Sequence, residues 1–482
     1  MISRKDFLKK GALSALTLPV LSPALISGKT SKTSTRKTRK DLQGAAKNVI
    51  FLVADGMSIG TLSMGNLMNQ RQFDRTSHWI QLYNSERTYH RGLMDMAAAD
   101  SFITDSSAAA SSWGCGQRIN NGGVNWSVNN EPLRPITHIF RDAGKATGLV
   151  TTTRITHATP AGFAAAAPSR NLEDEIAAQY FEAGIDLLMG GGDRHFNPDK
   201  RRDGRDLYGD FGKAGYTILK DKASMMADKT PRKVLGIFTD SHMPYTVDQN
   251  TVPQLRDNVP TLAEMTKSAL DRLDQHPDGF ILQVEGGRVD HAAHGNDPSG
   301  LVYDMIAFDD AIGVVFEYIE NREDTLVIIT TDHSNANPGV NGAGLTYTDA
   351  PMMFDQLQKF RHSNEWIQEQ LPKEPTKQQV KEIIEQATRL QITDDEAKML
   401  IDSMKGEFIT PYRAERTPSA VLGAIQANYV SINWLGGVHT SDYVELAALG
   451  PGSETLTSFT RNTELFDIMV DVAGVRAYAE AS

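Results

Sequence analysis

Between residues 285 and 294 the chain reads Glu285-Gly286-Gly287-Arg288-Val289-Asp290-His291-Ala292-Ala293-His294, which places four potential metal ligands in ten residues. Asp290 and His294 are four apart, so a helix puts them on one face, as a two-ligand contribution to a metal site requires. Three further clusters carry the same residue types: Asp55-Gly56-Met57, Thr331-Asp332-His333-Ser334 and Gly436-Gly437-Val438-His439-Thr440. Singly, each has a plainer reading. Asp-Gly is more often a turn, and a lone histidine beside a strand is usually structural. Four such clusters in one chain instead favour a polynuclear metal site. Mixed imidazole and carboxylate ligands suit zinc, and an oxygen-rich subset including Asp55 and Glu285 suits magnesium.

A candidate nucleophile lies in Thr104-Asp105-Ser106-Ser107-Ala108-Ala109-Ala110-Ser111-Ser112. Small residues that tolerate helix follow the Asp-Ser pair, so Ser106 is expected at a helix N-terminus, where the dipole and free N–H groups favour an anion. An ordinary Asp or Ser N-cap is the alternative. A serine hydroxyl is a poor nucleophile at neutral pH and no histidine dyad is evident nearby, so activation by a metal ion fits the remaining clusters.

These clusters need strands to deliver them. Buried-strand patterns occur at Asn48 to Ala54, Lys145 to Thr152, Ile185 to Met189, Val234 to Thr239, Phe280 to Val284 and Leu326 to Thr330. Helical patterns lie between them, at Pro135 to Ala143, Leu172 to Glu182, Thr261 to Leu273 and Leu301 to Glu320. The alternation predicts an α/β fold with a mostly parallel central sheet and helices on both faces. Ligands then gather beyond the carboxyl ends of the strands, where Asp55, Glu285 and Asp332 stand. From 351 to about 426 the sequence becomes charged and helical, which reads as an insertion near the C-terminal third. Strand-like sequence returns at Asn428 to Trp434 and Tyr443 to Leu449, with a last helix near Leu465 to Val472.

The first 46 residues hold ten Lys/Arg against two Asp/Glu, and the rest 39 against 58, so the body carries a net charge of −19. Such a body repels nucleic acid and suits small ligands or cations. Residues 1–28 combine a basic start with an apolar run, as an export signal does. The stretch Ser3-Arg4-Lys5-Asp6-Phe7-Leu8-Lys9 resembles a twin-arginine signal with Lys5 in place of the second arginine. The apolar run is short and broken by Pro19 and Pro23, so stable membrane insertion of the mature protein is not expected. Residues 29–46, rich in Lys, Ser and Thr, read as a linker to a catalytic body over 47–482. Cys115 is the sole cysteine, so no intramolecular disulfide is available.

Taken in order, Asp55-Gly56-Met57, Thr104-Asp105-Ser106, Thr156-His157-Ala158-Thr159-Pro160-Ala161, Ser169-Arg170, Gly190-Gly191-Gly192, Glu285 to His294, Thr331-Asp332-His333 and His439-Thr440 resemble the alkaline phosphatase family across residues 48 to about 450. The resemblance implies hydrolysis of phosphate monoesters through a phosphoserine at Ser106, with two Zn2+ and one Mg2+ per chain. By that resemblance Asp290, His294 and His439 hold the first zinc, Asp55, Asp332 and His333 the second, and Asp55, Thr159 and Glu285 the magnesium. Arg170 grips the phosphate, Asp105 steadies Arg170, and His157 and His291 stand where family members vary. A periplasmic or secreted location and a possible homodimer are further implications. The sequence departs from the family pattern at Ser107, where Ala is usual, at Ser441, where Gly is usual, and in the long stretch between His333 and His439. The alternatives are a phosphodiesterase or sulfatase-like relative sharing the two-metal core, and a non-catalytic metal- or phosphate-binding protein. Arg170 and the magnesium residues favour monoesters over the first, and Ser106 has no use in the second.

Overall fold

A computed structural model describes residues 39–85, 89–230, 233–342, 344, 346–412 and 416–480. The export signal expected over 1–28 and most of the linker expected over 29–46 lie outside them. The end of that linker is docked rather than solvated. Leu42 and Ala46 are buried, and the Gly44 and Ala46 amides donate to the carbonyls of Asp471 and Val472 at 3.1 and 2.9 Å.

Ten strands form the central sheet: β1 (Asn48–Val53), β2 (Tyr89–Asp95), β3 (Ala146–Arg154), β4 (Leu187–Gly191), β5 (Thr217–Leu219), β6 (Val234–Ile237), β7 (Phe280–Glu285), β8 (Thr325–Thr330), β9 (Val444–Leu449) and β10 (Phe459–Arg461). Their spatial order is β10-β2-β9-β8-β1-β7-β3-β4-β6-β5. Only β9 runs against its neighbours, β8 and β2. The strands β8, β1, β7 and β3 are consecutive and parallel, so their carboxyl ends lie side by side.

Period-two alternation divides the core between two faces. Along β1, Ile50, Leu52 and Ala54 enter one apolar cluster, and Val49, Phe51 and Val53 the other, all fully buried. The helices that matter for the site are α1 (Ile59–Phe73), α2 (Ser106–Gly114), α3 (Ala158–Ala164), α4 (Leu262–Leu273), α5 (Arg288–His294), α6 (Pro298–Tyr318), α7 (Asn364–Gln370), α8 (Lys377–Thr388), α9 (Asp394–Met404), α10 (Pro418–Val430) and α11 (Glu464–Val472). Helices α1, α4 and α6 cover the Ile50 face, while α2, α3 and α11 cover the Phe51 face. Full burial of a side chain such as Phe51 stabilises by about 1.5–3 kcal/mol. Its ring packs at 4.9 Å from Trp113 and 5.3 Å from Phe163, which ties α2 and α3 to β1.

The helices between β8 and β9 start at strong caps. Thr376 with Gln379 and Thr393 with Glu396 form capping boxes at the starts of α8 and α9. Val380, Ile384, Leu400, Leu422 and Ile425 join the Ile50 cluster, so this segment shares a core with the sheet. The strand expected at Asn428 to Trp434 is not formed. Helix α10 runs to Val430, started by Thr417 at its N-cap and Pro418 in its first turn. Its buried face includes Val421, Leu422, Ile425 and Val430, and packing on that face outweighs the local β preference. A two-residue strand, Ile432–Asn433, remains and pairs with Gly339–Val340.

Gly56, directly after Asp55, is tightly confined against Asp290. Its φ is +69°, and a Cβ there would stand 2.5 Å from Asp290 Oδ1 and 2.8 Å from Asp290 Cα. Left-handed backbone alone costs an L-residue about 1–2 kcal/mol. Gly56→Ala is therefore expected to lower the unfolding midpoint and to push Asp290 out of place. Calorimetry together with metal analysis checks this, and an unchanged midpoint with unchanged metal content would contradict the fit.

Candidate active site

The consecutive tips of β8, β1, β7 and β3 carry the chemistry. Asp55 follows β1, Glu285 ends β7, Asp332 and His333 follow β8, and His157 and Thr159 follow β3 at the start of α3. Asp290, His291 and His294 lie on α5, directly after β7. His439 precedes β9, and because β9 is reversed its entry lies at the edge where the others exit. A short antiparallel pairing of His439–Thr440 with Ser334–Asn335 fixes that approach.

Three groups of side chains converge. In each of Asp55/Asp332/His333, Asp290/His333/His439 and Asp55/His157/Glu285, one ligand atom per residue falls within 4.8 Å of the others. His333 Nε2 lies 3.1 Å from Asp332 and 3.5 Å from Asp55. His294 Nε2 lies 3.3 Å from Asp290 and 3.1 Å from His439 Nε2, and His439 Nε2 is 3.6 Å from Asp290. The helical spacing of Asp290 and His294 is thus realised on α5. Thr159 is fully buried on the β7 side, where its carbonyl accepts from Gln283 at 3.2 Å.

Ser106 is the first residue of α2. Its hydroxyl lies 3.3 Å from His333 Nε2 and 3.5 Å from Asp55 Oδ1, inside the carboxylate cluster. Asp105 caps the helix by accepting from the Ala108 amide at 2.8 Å. The same carboxylate accepts from the Gly122 amide at 3.0 Å and from Arg170 Nη1 at 3.3 Å. Ser107 turns away from the cluster and spends its hydroxyl on Asp105, at 2.8 and 2.9 Å. Of the two adjacent serines, geometry therefore leaves Ser106 as the one facing the ligands. Arg170 Nη2 reaches His157 Nε2 at 3.2 Å.

Asp55, Glu285 and Asp332 are fully buried and Asp290 is 4% exposed. Four carboxylates so close cannot all be ionised in a dry site without countercharge. Burial, then Asp332, Asp290 and Glu285, push Asp55 well above the ordinary carboxylate range. Burial raises Glu285 to about 7 against the pull of the Thr151 hydroxyl. Asp290 goes the other way: despite burial, His294 and His439 draw it well below its usual value. His294 rises to about 9 because Asp290 outweighs its desolvation, while burial lowers His439 to about 4.

The donor set fits divalent cations. Among the described residues, Asp55 Oδ2, Glu285 Oε1 and Thr159 Oγ1 are buried without a hydrogen-bond partner, a costly state that a cation relieves. The imidazoles are turned to suit. His294 Nδ1 donates to the Gly437 carbonyl and His439 Nδ1 to the Thr104 carbonyl, both at 2.8 Å, which turns each Nε2 toward Asp290, where a bound cation would take its lone pair in place of a proton.

Several supporting residues escaped sequence reasoning. Asn335 holds Asp290 Oδ1 at 2.7 Å, and Thr151 and Thr153 donate to Glu285 Oε2 at 2.5 and 3.3 Å. The signal for the latter was three threonines in a row at the end of a buried strand. His242, on the loop after β6, stacks edge-on against His291 with ring centroids 4.3 Å apart. Nothing in its local sequence marks it out.

A serine at a helix N-terminus, beside three groups of carboxylates and imidazoles spaced to hold cations, is the equipment of a hydrolase for anionic esters. The alkaline phosphatase family model matches residues 46–475, and the chain belongs to that family. Alkaline phosphatase 3 of Bacillus subtilis is 28% identical over 472 residues, spanning 96% of this chain and 96% of that protein. The crystal structure of Thermus thermophilus alkaline phosphatase superposes with a TM-score of 0.83 at 32% identity, covering 94% of this chain and 99% of that one. The cold-active alkaline phosphatase from a psychrophilic Shewanella sp. gives 0.72 at 25% identity, covering 88% and 98%. The protein is accordingly a phosphoric monoester hydrolase.

The shifted groups set a pH dependence for the metal-free protein. Glu285 and His294 both bind protons more tightly folded than unfolded, so the stability they contribute is lost as pH rises, through about 7 for Glu285 and about 9 for His294. In excess chelator the unfolding temperature is expected to fall between pH 6.5 and 9, a fall that saturating divalent metal suppresses. Thermal scans across that range check it. A chelated protein that grows steadily more stable toward pH 9 would contradict the electrostatics.

Proposed function

We propose that the protein hydrolyses phosphate monoesters through a phosphoserine at Ser106, in a site loaded with two zinc ions and one magnesium ion. The single observation that carries this reading is the Ser106 hydroxyl lying among Asp55, His333 and the orphaned carboxylate oxygens. Asp290, His294 and His439 would hold the first zinc, Asp55, Asp332 and His333 the second, and Asp55, Thr159 and Glu285 the magnesium. When bound, these ions would neutralise the buried carboxylates, favour the ionised serine hydroxyl and stabilise charge on the entering and leaving oxygens.

In this mechanism the chain's own groups orient and exchange the phosphoryl group. Arg170 binds two non-bridging oxygens as a fork, with Asp105 fixing its direction. Free amides at the start of α2 add favourable dipoles beside Ser106. Ser106 Oγ bonds to phosphorus as the ester oxygen departs, and the alcohol leaves with a proton. Water then cleaves the phosphoserine from the vacated side, so two displacements give net retention. His157 and His291 border the phosphate on the magnesium side and supply polar contacts there.

The basic, apolar N-terminal sequence supports export to the periplasm or beyond, and among the described residues no helix is long and apolar enough to cross a membrane. Small phosphate monoesters are the proposed partners, rather than nucleic acid, which the acidic body repels. A homodimer remains the family-based proposal for assembly, and the helical segment over 351–426 is proposed as an insertion in the catalytic domain.

Ser106→Ala is expected to abolish the acid-trapped phosphoenzyme and to lower turnover of a nitrophenyl phosphate by at least about 10³-fold. Ser107→Ala should retain most activity, because that hydroxyl only braces Asp105. Reversal of those two results would move the nucleophile to Ser107. Arg170→Ala removes charge-assisted hydrogen bonds worth about 1.5–3 kcal/mol, so inhibition by inorganic phosphate should weaken about 10- to 100-fold at full metal content. Unchanged phosphate inhibition would remove Arg170 from the phosphate site.

A further inference from the structure

The helix α7 reaches into the active site through one buried cation. Glu365 on α7 pairs with Arg288 Nη2 at 2.8 Å, and the Arg288 side chain is only 4% exposed. The guanidinium carbon lies over the buried Tyr245 ring, 3.7 Å from its centroid. Its other terminal nitrogen, Nη1, stands 3.0 Å from His291 Nδ1. His291 in turn meets the His242 ring at 4.3 Å and the His157 ring at 5.4 Å, both edge to face. A groove of ≈ 590 Å³ opens here between α5 and α7, with Arg288, His291, His294 and Glu365 along it.

A guanidinium only donates hydrogen bonds. His291 Nδ1 must then be the acceptor, so the ring's hydrogen sits on Nε2, and no protein acceptor among the described residues takes it. The helix that supplies Glu365 is itself firmly placed. The Asn364 amide donates to Asp297 Oδ2 at 2.6 Å, Asn364 Nδ2 to the Asn296 carbonyl at 3.2 Å, and the Ser363 amide to Asp248 at 3.2 Å. Asp297 is also the N-cap of α6, directly after α5, so α7 and the ligand-bearing helix share one anchor.

We propose that Arg288, held by Glu365, is a positioning residue that fixes the tautomer and ring orientation of His291. The helical segment after β8 thereby governs a hydrogen-bond donor of the phosphate site. The Nε2–H becomes the ring's one free donor, available to a phosphoryl oxygen or to water in the groove. The kinetic part rests on the placement of His291 beside the phosphate proposed above, whereas the tautomer is independent of it.

The test uses the full-length, metal-loaded enzyme labelled with 15N-histidine, with the His291 resonances assigned by their loss in His291→Asn. Wild type should show Nδ1 unprotonated and Nε2 protonated. Glu365→Ala, a change on the exposed side of α7, should give a mixture of tautomers and lower kcat about 10-fold, as loss of a supporting hydrogen-bond partner does, with metal content and unfolding temperature unchanged. Glu365→Gln keeps an acceptor and should fall between. Arg288→Met should produce the larger tautomer change, and if it does not fold, the two Glu365 variants decide. A wild-type Nδ1–H tautomer, or a tautomer indifferent to Glu365→Ala, overturns the proposal, as does an altered tautomer with unchanged kcat. A wild type that releases no phosphate from monoesters would instead sink the hydrolytic reading, which the nitrogen shifts do not depend on.

Discussion

Mutual repulsion among four buried carboxylates is the condition around which this protein is arranged. Asp55, Glu285, Asp290 and Asp332 are brought to one edge of a sheet with almost no access to water. In a low-dielectric interior such a group is tolerable only if protons or cations balance it. The surrounding hydrogen bonds address the positions of these oxygens and leave their charge uncompensated. Thr151 and Thr153 hold one Glu285 oxygen, Asn335 holds Asp290, and the Gly56 amide holds Asp332 at 2.9 Å. Among the described residues, one oxygen on each of Asp55 and Glu285 has no hydrogen-bond partner. Preorganised ligands of this kind store the cost of their own repulsion until cations arrive, which is why affinity and protonation are coupled here.

The parallel sheet makes this crowding possible. Adjacent parallel strands end at the same level about 4.8 Å apart, so residues following β8, β1, β7 and β3 have no choice but to meet. The reversed β9 adds His439 from the opposite chain direction. On the other side, α2 and α3 are fastened to β1 by the Phe51, Trp113 and Phe163 rings. That packing sets the height at which Ser106 stands over the cluster. A shift of the aromatic layer would therefore move Ser106 while leaving the carboxylates and imidazoles in place.

Asp105 illustrates how several demands are met by one side chain. It caps α2, accepts from Gly122, engages the Ser107 hydroxyl and steadies Arg170. Helix start, loop closure and guanidinium direction are thus coupled through a single carboxylate. The departure from the family pattern at Ser107 is absorbed by the same group, since its hydroxyl turns to Asp105 and leaves Ser106 alone in the cluster.

Much of this was legible before any coordinates. Strand runs ending in Asp, Glu or His declare both the parallel sheet and its active edge, because burial on two faces demands unbroken aliphatic runs and leaves polar residues only at their ends. The i, i+4 spacing of Asp290 and His294 needs nothing beyond helical geometry, and Asp105-Ser106 announces a helix start by local chemistry. Other features had no local signal. The helix through Asn428 to Val430 was hidden by β-branched sequence and decided by burial of Val421, Leu422 and Ile425. Which serine faces the ligands, which imidazole nitrogen is free, the approach of His242 to His291, and the Glu365–Arg288–His291 chain all depend on residues far apart in sequence. Sequence alone determined which ligand types exist and on which elements they sit, since those follow from periodicity and neighbours. Only the tertiary structure decided tautomers, side-chain directions and second partners, because each is set by a donor or acceptor delivered from another part of the fold.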